Sequence, residues 1–473
     1  MAQVSNRKAG VVVAEPAIEE LRARLRGDLI TRNDDEYEAA RKVFNAMIDR
    51  HPALIVRCAD VADVMAAVDF ARDNRLTLAI RGGGHNVAGF GSCDDGLVID
   101  MSRMKGIRVD PQSRTVRADG GCTWGDVDHA THAFGFATPG GVISTTGIAG
   151  LTLGGGIGNL TRRCGLSCDN LISADVVTAD GRLVTASAKV NSDLFWAIRG
   201  GGGNFGVVTS FELRLHEVST VYAGPIVWPL DRAADAMNFY RGFMRNAPDE
   251  LNVLFAFLVV PPGPPFPEQL HGRNMCAAVV CYSGPPEKGE GVVRPLQEFG
   301  PPAFHALGPM PFPMLQGAFD PVAPPGLHHY WKADFVSDLS QEVIAGHAKF
   351  GPGVPNIFSG THIFPISGAA HRVGKSETAW SYRDAHFAHV IYAASPDPAD
   401  TPKNTEWVRS YFDALHPHSA GGAYVNFMGD EGEDRIRASY RDNYDRLVAV
   451  KKKYDPQNLF HVNQNIKPNG MKA

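Results

Sequence analysis

A histidine that follows three glycines has the clearest capacity for chemistry in this sequence. The segment reads Arg81-Gly-Gly-Gly-His85-Asn86. A neutral imidazole is a nucleophile, and flanking glycines let the backbone press closely against a bound molecule. A histidine in such a loop can also do no more than hydrogen-bond its own backbone. By itself, the segment does not decide between these two roles for His85.

Three glycine-rich stretches occur in the first half of the chain, at residues 81–89, 140–158 and 200–206. Backbone N–H groups of such stretches can approach an anion such as a diphosphate, because no side chain stands in the way. Any one stretch is typical of ordinary turns. Since all three fall within residues 81–206, an anion-binding role becomes more plausible than three unrelated turns.

The third stretch contains Gly201-Gly-Gly-Asn-Phe-Gly206, which fits the G-x-G-x-x-G pattern. In dinucleotide-binding folds, a strand precedes these glycines and a helix follows them. Here a predicted helix precedes them and a predicted strand follows, so the pattern is not an NAD fingerprint. Residues 368–376 resemble a phosphate-binding P-loop, but the spacing is one residue too long. No serine-hydrolase elbow and no zinc-protease motif occurs.

Short strands and helices must position the glycine stretches. Periodicity predicts helices at 17–26, 61–74 and 124–135, and a further short helix capped by Ser192 that ends at Ile198. Strands are predicted at 54–57, 76–80, 97–100, 107–109, 115–118, 175–178, 182–186 and 207–215. Strand 76–80 runs directly into the His85 loop, and Asp180-Gly181 closes a hairpin.

The chain changes character near Val218, where prolines become frequent. Strands at 277–282, 362–366 and 389–393 indicate a second sheet. One long amphipathic helix is predicted at 433–453, and Asp455-Pro456 ends it. A chain of 473 residues is too long for one ordinary core, so its length predicts two to three domains.

Composition excludes several classes of protein. The net charge of -5 argues against a general nucleic-acid binder. Seven cysteines without zinc spacing predict neither a disulfide framework nor a metal site. No run of about 18 apolar residues could span a membrane. Glu15, Glu19 and Glu20 interrupt the short apolar patch at 10–14, so no signal peptide is predicted and a cytoplasmic protein is expected.

Four segments together resemble the berberine-bridge-enzyme-like branch of the FAD-linked oxidases, which have the vanillyl-alcohol-oxidase (PCMH) type of FAD domain. The first runs from Arg81 to Gly89, the second contains Gly147-Ile-Ala-Gly-Leu-Thr-Leu-Gly-Gly-Gly-Ile-Gly158, and the third is Asp193-Leu-Phe-Trp-Ala-Ile-Arg-Gly followed by the glycines to Gly206. The fourth comprises Tyr424-Val-Asn-Phe427 and Tyr454 to Ile466. The resemblance spans nearly the whole chain and is weakest in the middle.

The resemblance implies an α+β fold in which the two ends of the chain build one FAD domain. Residues 1–216 and 423–473 are expected to form that domain. Residues 217–422 are expected to form a substrate-binding domain, with an antiparallel sheet covered by helices. A monomer or a homodimer that acts on a small molecule is expected.

The same resemblance implies which residues surround the FAD. His85 is expected to bond covalently to the flavin 8α-carbon, the segment from Arg81 to Asn86 to cradle the diphosphate, and Val208 to meet the adenine. The further residues expected around the FAD are Gly82, Gly83, Gly84, Gly89, Gly141, Thr145, Thr146, Gly147, Gly150, Gly154, Gly155, Gly158, Asn204, Gly206, Asn426, Asn463 and Asn465.

The sequence departs from this family at two positions. Many members carry a cysteine, which makes a second covalent link to the flavin, where this chain has Ile143. A single link through His85 is therefore expected. Many plant members have a tyrosine that acts as the catalytic base where this chain has Phe427, and phenylalanine cannot take a proton.

The expected activity is oxidation of a hydroxyl- or amine-bearing metabolite by FAD, with O2 as the final acceptor and H2O2 as the product. Tyr424 is the first candidate for the catalytic base, and a packing role is equally open for it. Further candidates are Tyr330, Lys332, His362 and His386. Two alternatives stay open: a flavin dehydrogenase that uses another acceptor, and a flavin-binding protein without turnover.

Overall fold

The computed structural model describes residues 14–468. Most of the N-terminal segment for which no signal peptide is predicted lies outside these residues, as do the outermost ends of the two proposed FAD-domain segments. Within 14–468, no helix is both long enough and apolar enough to cross a membrane.

The first part of the chain builds two sheets and a two-stranded ribbon. Its elements are α1 (Glu15–Arg24), β1 (Asp28–Thr31), α2 (Tyr37–Ala40), β2 (Leu54–Arg57), α3 (Val61–Asp73), β3 (Leu78–Arg81), β4 (Leu97–Asp100), β5 (Ile107–Asp110), β6 (Thr115–Asp119), α4 (Trp124–His132), β7 (Phe136–Ala137), α5 (Ile148–Gly154), α6 (Thr161–Cys164), β8 (Leu171–Val177), β9 (Leu183–Ser187), α7 (Ser192–Ala197), β10 (Val207–Arg214) and β11 (His216–Glu217).

The first sheet has the strand order β1-β2-β4-β3, in which β2, β4 and β3 are parallel. Strands that are buried on both faces are typical of parallel sheets, and all four residues of β4 are buried. The second sheet is antiparallel, in the order β5-β6-β10-β8-β9. Helix α3 packs its apolar face on the first sheet, with Val64, Ala67, Val68 and Ala71 in a common core.

The middle of the chain builds an eight-stranded antiparallel sheet with helices. Its elements are β12 (Thr220–Trp228), α8 (Ala233–Asn246), β13 (Leu251–Val259), β14 (Asn274–Tyr282), α9 (Pro286–Glu298), β15 (Phe304–His305), β16 (Gly308–Pro311), α10 (Phe312–Gln316), β17 (His328–Val336), α11 (Gln341–Phe350), β18 (Gly360–Pro365), α12 (Ala369–Arg372), β19 (Phe387–Ser395) and α13 (Thr401–Leu415). The strand order is β15-β12-β14-β13-β18-β19-β17, with β16 also on β12.

The two faces of this large sheet have different partners, because successive side chains of a strand point to opposite sides. One face packs in a core with α8, α9, α11 and α13, to which Ile363 and Ile391 belong. The other face contributes Phe364 and Val390 to the core that holds the second sheet and the C-terminal segment. The α+β class and the helix-covered antiparallel sheet are confirmed.

The C-terminal segment contains two helices, α14 (Glu433–Tyr440) and α15 (Tyr444–Tyr454). The single helix predicted at 433–453 is therefore wrong. Arg441 has a left-handed backbone with φ of +47°, and its guanidinium donates to Asp384 at 2.6 Å and lies 3.5 Å over the ring of Tyr382. The amide of Asn443 donates to three backbone carbonyls. These contacts with residues distant in sequence stabilise the interruption between α14 and α15.

The cap predicted at Ser192 is also wrong, since Ser192 is the first residue of α7. The capping position belongs to Asn191, whose backbone is left-handed with φ of +47° and whose side chain makes no cap hydrogen bond. The order of elements around the third glycine stretch is confirmed. Helix α7 precedes residues 200–206 and strand β10 follows them, which is the reverse of a dinucleotide-binding turn.

Candidate active site

A cavity of about 320 Å³ lies where the glycine stretches, the C-terminal segment and the free face of the eight-stranded sheet meet. Many residues expected around a flavin line it. They are Arg81, Gly82, Gly83, Gly84, His85, Asn86, Gly141, Thr146, Gly147, Gly150, Asn204, Gly206, Val208, Tyr424, Asn426 and Asn463. The fold therefore brings all four sequence segments to one place.

Six of the expected residues do not line the cavity: Gly89, Thr145, Gly154, Gly155, Gly158 and Asn465. Several of these glycines serve packing instead. A Cβ on Gly154 would collide with the Asn426 side chain, and one on Gly158 would collide with the carbonyl of Gly140. Thr145 reaches the site indirectly, because its hydroxyl lies 3.1 Å from His85 Nε2.

His85 stands in the cavity wall, in the loop that follows β3. Its Nδ1 lies 3.4 Å from the Thr146 hydroxyl. The ring stacks on Phe44 with centroids 4.1 Å apart. Burial lowers the pKa of His85 to about 4, and a hydrogen bond that the imidazole donates to the backbone of Thr145 opposes this only in part. The imidazole is therefore neutral at pH 7 and keeps a lone pair.

The glycines before His85 bring two chain segments into backbone contact. A Cβ on Gly83 would come within 3.0 Å of the nitrogen and Cα of Gly147. Gly147 in turn meets Gly83 in the same way. Both glycines line the cavity, so this part of its wall consists of bare backbone.

The guanidinium of Arg81 is held in a buried ion pair at the edge of the cavity. It donates to Asp100 at 2.8 Å and to the carbonyl of Lys42 at 3.3 Å, and the Arg81–Asp100 pair is buried. The contact between Arg81 and a diphosphate stays a prediction. The Arg81–Asp100 pair joins the ends of the neighbouring strands β3 and β4.

Tyr424 and Asn426 form one hydrogen-bonded unit at the cavity. The Tyr424 oxygen accepts from the N–H of Gly156 at 2.7 Å and from the Asn426 amide at 2.6 Å. The same amide donates to the carbonyl of Leu151 at 3.0 Å. Burial raises the pKa of Tyr424 well above its usual value, so the phenol holds its proton at pH 7. Tyr424 as the base stays a prediction, and its surroundings favour a donor.

Aromatic residues of the eight-stranded sheet, together with Phe44 and Phe427, form a wall of the cavity that the sequence motifs did not indicate. Phe44, which stacks on His85, also stacks on His329 at 4.7 Å, and Trp331 lies edge-on to His329. Trp331 in turn contacts Phe427 and Tyr392. Alternation along β17 could have placed His329 and Trp331 on one face, but no local pattern marks Phe44.

Of the four other candidate bases, one lines the cavity and three do not. His362 lines the cavity, whereas Tyr330, Lys332 and His386 are not among its lining residues within 14–468. Lys332 pairs with Glu431 at 3.1 Å, and the hydroxyl of Tyr330 accepts from Arg409 at 3.0 Å. Lys332 and Tyr330 are therefore engaged in an ion pair and a hydrogen bond outside the cavity.

The cavity fits a flavin dinucleotide on two observations. Its glycine wall exposes backbone without side chains, and several buried polar atoms at its lining have no protein partner within residues 14–468. These atoms are Asn463 Oδ1, Tyr440 Oη, Trp331 Nε1 and both ring nitrogens of His329. Buried polar atoms in proteins are generally hydrogen-bonded, so a ligand with polar edges suits this lining.

Comparison with known proteins agrees with the geometry. The family model described as FAD binding domain matches residues 52–187, and the one described as Berberine and berberine like matches residues 423–467. An FAD-linked oxidoreductase of Bacillus subtilis, YgaK, whose function is uncharacterized, is 32% identical over 94% of this chain and 98% of the relative. The (R)-6-hydroxynicotine oxidase of Paenarthrobacter nicotinovorans is 28% identical over 94% of this chain and 98% of its own.

The fold agrees in the same way. The crystal structure of 6-hydroxy-D-nicotine oxidase from Arthrobacter nicotinovorans superposes with a TM-score of 0.85 at 26% identity, over 97% of this chain and 100% of the other. Fold, cavity and sequence together define a flavin-dependent oxidoreductase. The chain belongs to the berberine-bridge-enzyme-like family of FAD-linked oxidases.

Proposed function

We propose that this protein is an oxidase with FAD bound covalently through His85 alone, and that it oxidises a hydroxyl- or amine-bearing metabolite with O2 as acceptor. The observation that carries the proposal is a neutral, stacked His85 in the wall of a glycine-lined cavity. When bound, FAD supplies a two-electron acceptor for a C–H hydride. The residues of the chain would orient the FAD, exclude water from the site and accept the proton that the substrate releases.

The single link is supported by where the cysteines lie. None of the seven cysteines lines the cavity, and Ile143 occupies the wall where many relatives carry a second tether. Cys164 and Cys168 lie in hydrophobic clusters. We therefore assign the bond to His85, which directly follows the glycines of the cavity wall, whereas His329 lies on strand β17 of the eight-stranded sheet.

The binding residues are proposed in the same frame. The backbone of residues 82–86 would hold the diphosphate, Val208 would meet the adenine, and Asn426 with Asn463 would face the ring system. Tyr424 would donate its phenol proton towards the ring or the substrate. We also propose that residues 1–216 and 423–473 form the cofactor domain and that residues 217–422 form the substrate domain.

The covalent bond is tested by acid precipitation of the purified protein. Wild-type protein should give a yellow pellet, and His85→Ala should give a colourless pellet with its flavin in the supernatant. His418→Ala, at an exposed position, is the matched control and should stay yellow. A yellow His85→Ala pellet would show that another residue makes the bond.

The acceptor is tested by reducing the holoenzyme with light and admitting air. An oxidase reoxidises within seconds and releases one peroxide per flavin. A dehydrogenase stays reduced for minutes until an artificial acceptor such as dichlorophenolindophenol is added. An anaerobic panel of 6-hydroxynicotine, benzyl alcohol, glucose and xylobiose tests turnover. Failure of all four to bleach the flavin would favour binding without turnover.

A further inference from the structure

His362 and Tyr392 form a hydrogen-bonded pair on the cavity face of the eight-stranded sheet. His362 lies on β18 and Tyr392 on the adjacent β19, and both line the cavity. The His362 Nε2 atom lies 3.0 Å from the Tyr392 hydroxyl. Their rings meet edge to face with centroids 5.0 Å apart. The pair therefore fixes the plane of the imidazole.

The other ring nitrogen, Nδ1, is available to a bound molecule. No hydrogen bond joins it to any side chain or backbone group within residues 14–468, and the only hydrogen bond of this imidazole uses Nε2. When Nε2 carries the ring proton and donates to Tyr392, Nδ1 keeps its lone pair. Burial lowers the pKa of His362 to about 4, so the ring is neutral at pH 7 and the Nδ1 lone pair can accept a hydrogen bond from a bound hydroxyl.

The surroundings of His362 are aromatic. Phe319 and Phe364 contact its ring, with centroids at 5.2 and 5.9 Å. Phe364 leads on to Phe427, which contacts Tyr424 at 4.8 Å. This aromatic box (Phe319, Trp331, Phe364, Tyr392 and Phe427) connects His362 to the Tyr424–Asn426 unit.

The cavity contains no carboxylate that could compete for the role of base. Among residues 14–468, no Asp or Glu lines it. The ionisable groups that do line it are Arg81, His85, His329, His362, Tyr392, Tyr424 and Tyr440. Arg81 is paired with Asp100, and His85 is the proposed tether to the cofactor. The tyrosines hold their protons, because burial raises the pKa of each of the three.

His329 is the remaining imidazole, and its position differs from that of His362. It stacks on Phe44, next to His85, and neither of its ring nitrogens has a hydrogen-bond partner within the described residues. A catalytic base is typically oriented by a third group that hydrogen-bonds to it. His362 has such a neighbour in Tyr392, and it stands in the aromatic box that continues to Tyr424.

We propose that His362 accepts the substrate proton, that Tyr392 is its positioning residue, and that the substrate presents a hydroxyl or neutral amine on a flat, uncharged aromatic body. This inference rests on the proposed function, which supplies the electron acceptor. The aromatic box favours such a body through ring stacking and burial of apolar surface. The absence of a carboxylate from the lining disfavours a cationic substrate.

For an alcohol substrate, the hydroxyl proton would pass to Nδ1 of His362. FAD, when bound, would supply the two-electron acceptor for the hydride of the adjoining carbon, so that this carbon is oxidised to a carbonyl. The imidazolium then carries one proton on each nitrogen, and its Nε2–H still donates to Tyr392. Its Nδ1 proton leaves to water once the product departs.

The geometry is tested by binding, which needs no turnover. Holoenzyme is titrated by calorimetry with 4-methylphenol and with 4-methylanisole, which lacks the hydroxyl proton. The phenol should bind about fivefold or more tightly than the anisole. His362→Phe should bring this ratio close to one. His386→Phe, at an exposed position outside the cavity, should leave the ratio unchanged.

Proton transfer is tested separately with His362→Gln, which keeps a hydrogen-bond acceptor but cannot take up a proton. This variant should retain much of the phenol preference while the rate of anaerobic flavin reduction by benzyl alcohol falls by about 100-fold or more. Tyr392→Phe should lower the rate less and change its pH profile, because the imidazole loses its fixed orientation. Retained flavin colour and near-ultraviolet dichroism show that each variant is folded.

The outcomes are distinct. A phenol preference that survives His362→Phe overturns the inference, as does an undiminished reduction rate in His362→Gln. A rate that collapses only in Tyr424→Phe assigns the base to Tyr424 instead. If no tested compound reduces the flavin but His362→Phe still abolishes the phenol preference, the proposed oxidase function fails while the binding role of His362 stands.

Discussion

Asp128 is a carboxylic acid enclosed by protein. It lies on α4 and is 2% exposed. One carboxyl oxygen accepts from the Gln316 amide at 3.3 Å, and the other has no partner within the described residues. The Gln316 amide also donates to the carbonyl of Gly141 at 3.0 Å. Burial raises the pKa of Asp128 to about 7, so the acid is protonated in the folded protein under mildly acidic conditions.

The sign of its effect on stability follows from this shift. The unfolded chain releases the proton near pH 4, whereas the folded chain holds it until about pH 7. The stability contributed by the protonated acid is therefore lost as the pH rises through this window. Asp128→Asn should gain about 2 to 3 kcal/mol relative to wild type between pH 5 and pH 8. Urea unfolding at both pH values measures the difference.

The control for this prediction is Asp413→Asn, at an exposed position on α13. Its effect on the free energy of unfolding should be small at both pH values. A gain in Asp128→Asn that is the same at pH 5 and pH 8 would contradict the titration argument, because a change in packing alone does not depend on pH.

At the scale of elements, two loops determine the cofactor side of the cavity. Gly83 follows β3 and Gly147 precedes α5, and their backbones touch. Gly83→Ala would force these segments apart, because a Cβ there meets main-chain atoms rather than a flexible side chain. The variant should lose several kcal/mol of stability, or retain the fold with much less bound flavin. Thermal unfolding and the flavin-to-protein absorbance ratio are the measurements.

Gly242 gives the matched comparison, since it lies exposed in α8 and a Cβ there meets no atom within 4 Å. Gly242→Ala should stabilise the protein by about 0.5 to 1 kcal/mol through helix propensity. Equal effects of the two substitutions would mean that the Gly83–Gly147 contact tolerates a methyl group.

Local sequence patterns predicted many of the helices and strands. They did not predict the features that depend on contacts between residues far apart in the sequence. Strand β2 and helix α3 appear where a short apolar run and helical periodicity predict them, and Leu54, Val56 and the apolar face of α3 share one core. The break at Arg441 depends on Asp384 and Tyr382, which lie far away in sequence. The motifs likewise predicted the glycine wall, whereas the positions of Phe44 and His329 depend on how the large sheet docks.

At the scale of the whole molecule, Lys451 joins the C-terminal segment to the third glycine stretch. The ammonium group is fully buried and has three partners. It donates to Asp455 at 2.7 Å, to the carbonyl of Asn204 at 2.8 Å and to the carbonyl of Phe460 at 2.8 Å. Asn204 also accepts from the N–H of Ile466 at 2.9 Å. The segment that carries Asn463 is thus fastened to the wall of the cavity.

Lys451→Met should therefore weaken both the fold and the cofactor site. The substitution leaves the carboxylate of Asp455 buried without its cation, which typically costs about 3 to 5 kcal/mol, and frees two buried carbonyls. The free energy of urea unfolding should fall by that order, and limited proteolysis should release the segment after residue 454 sooner than in wild type. Lys452→Met, at the exposed neighbouring position, should match wild type in both measurements. Equal behaviour of the two variants would mean that Asp455 is solvated or protonated, and that the C-terminal segment is held by its apolar contacts alone.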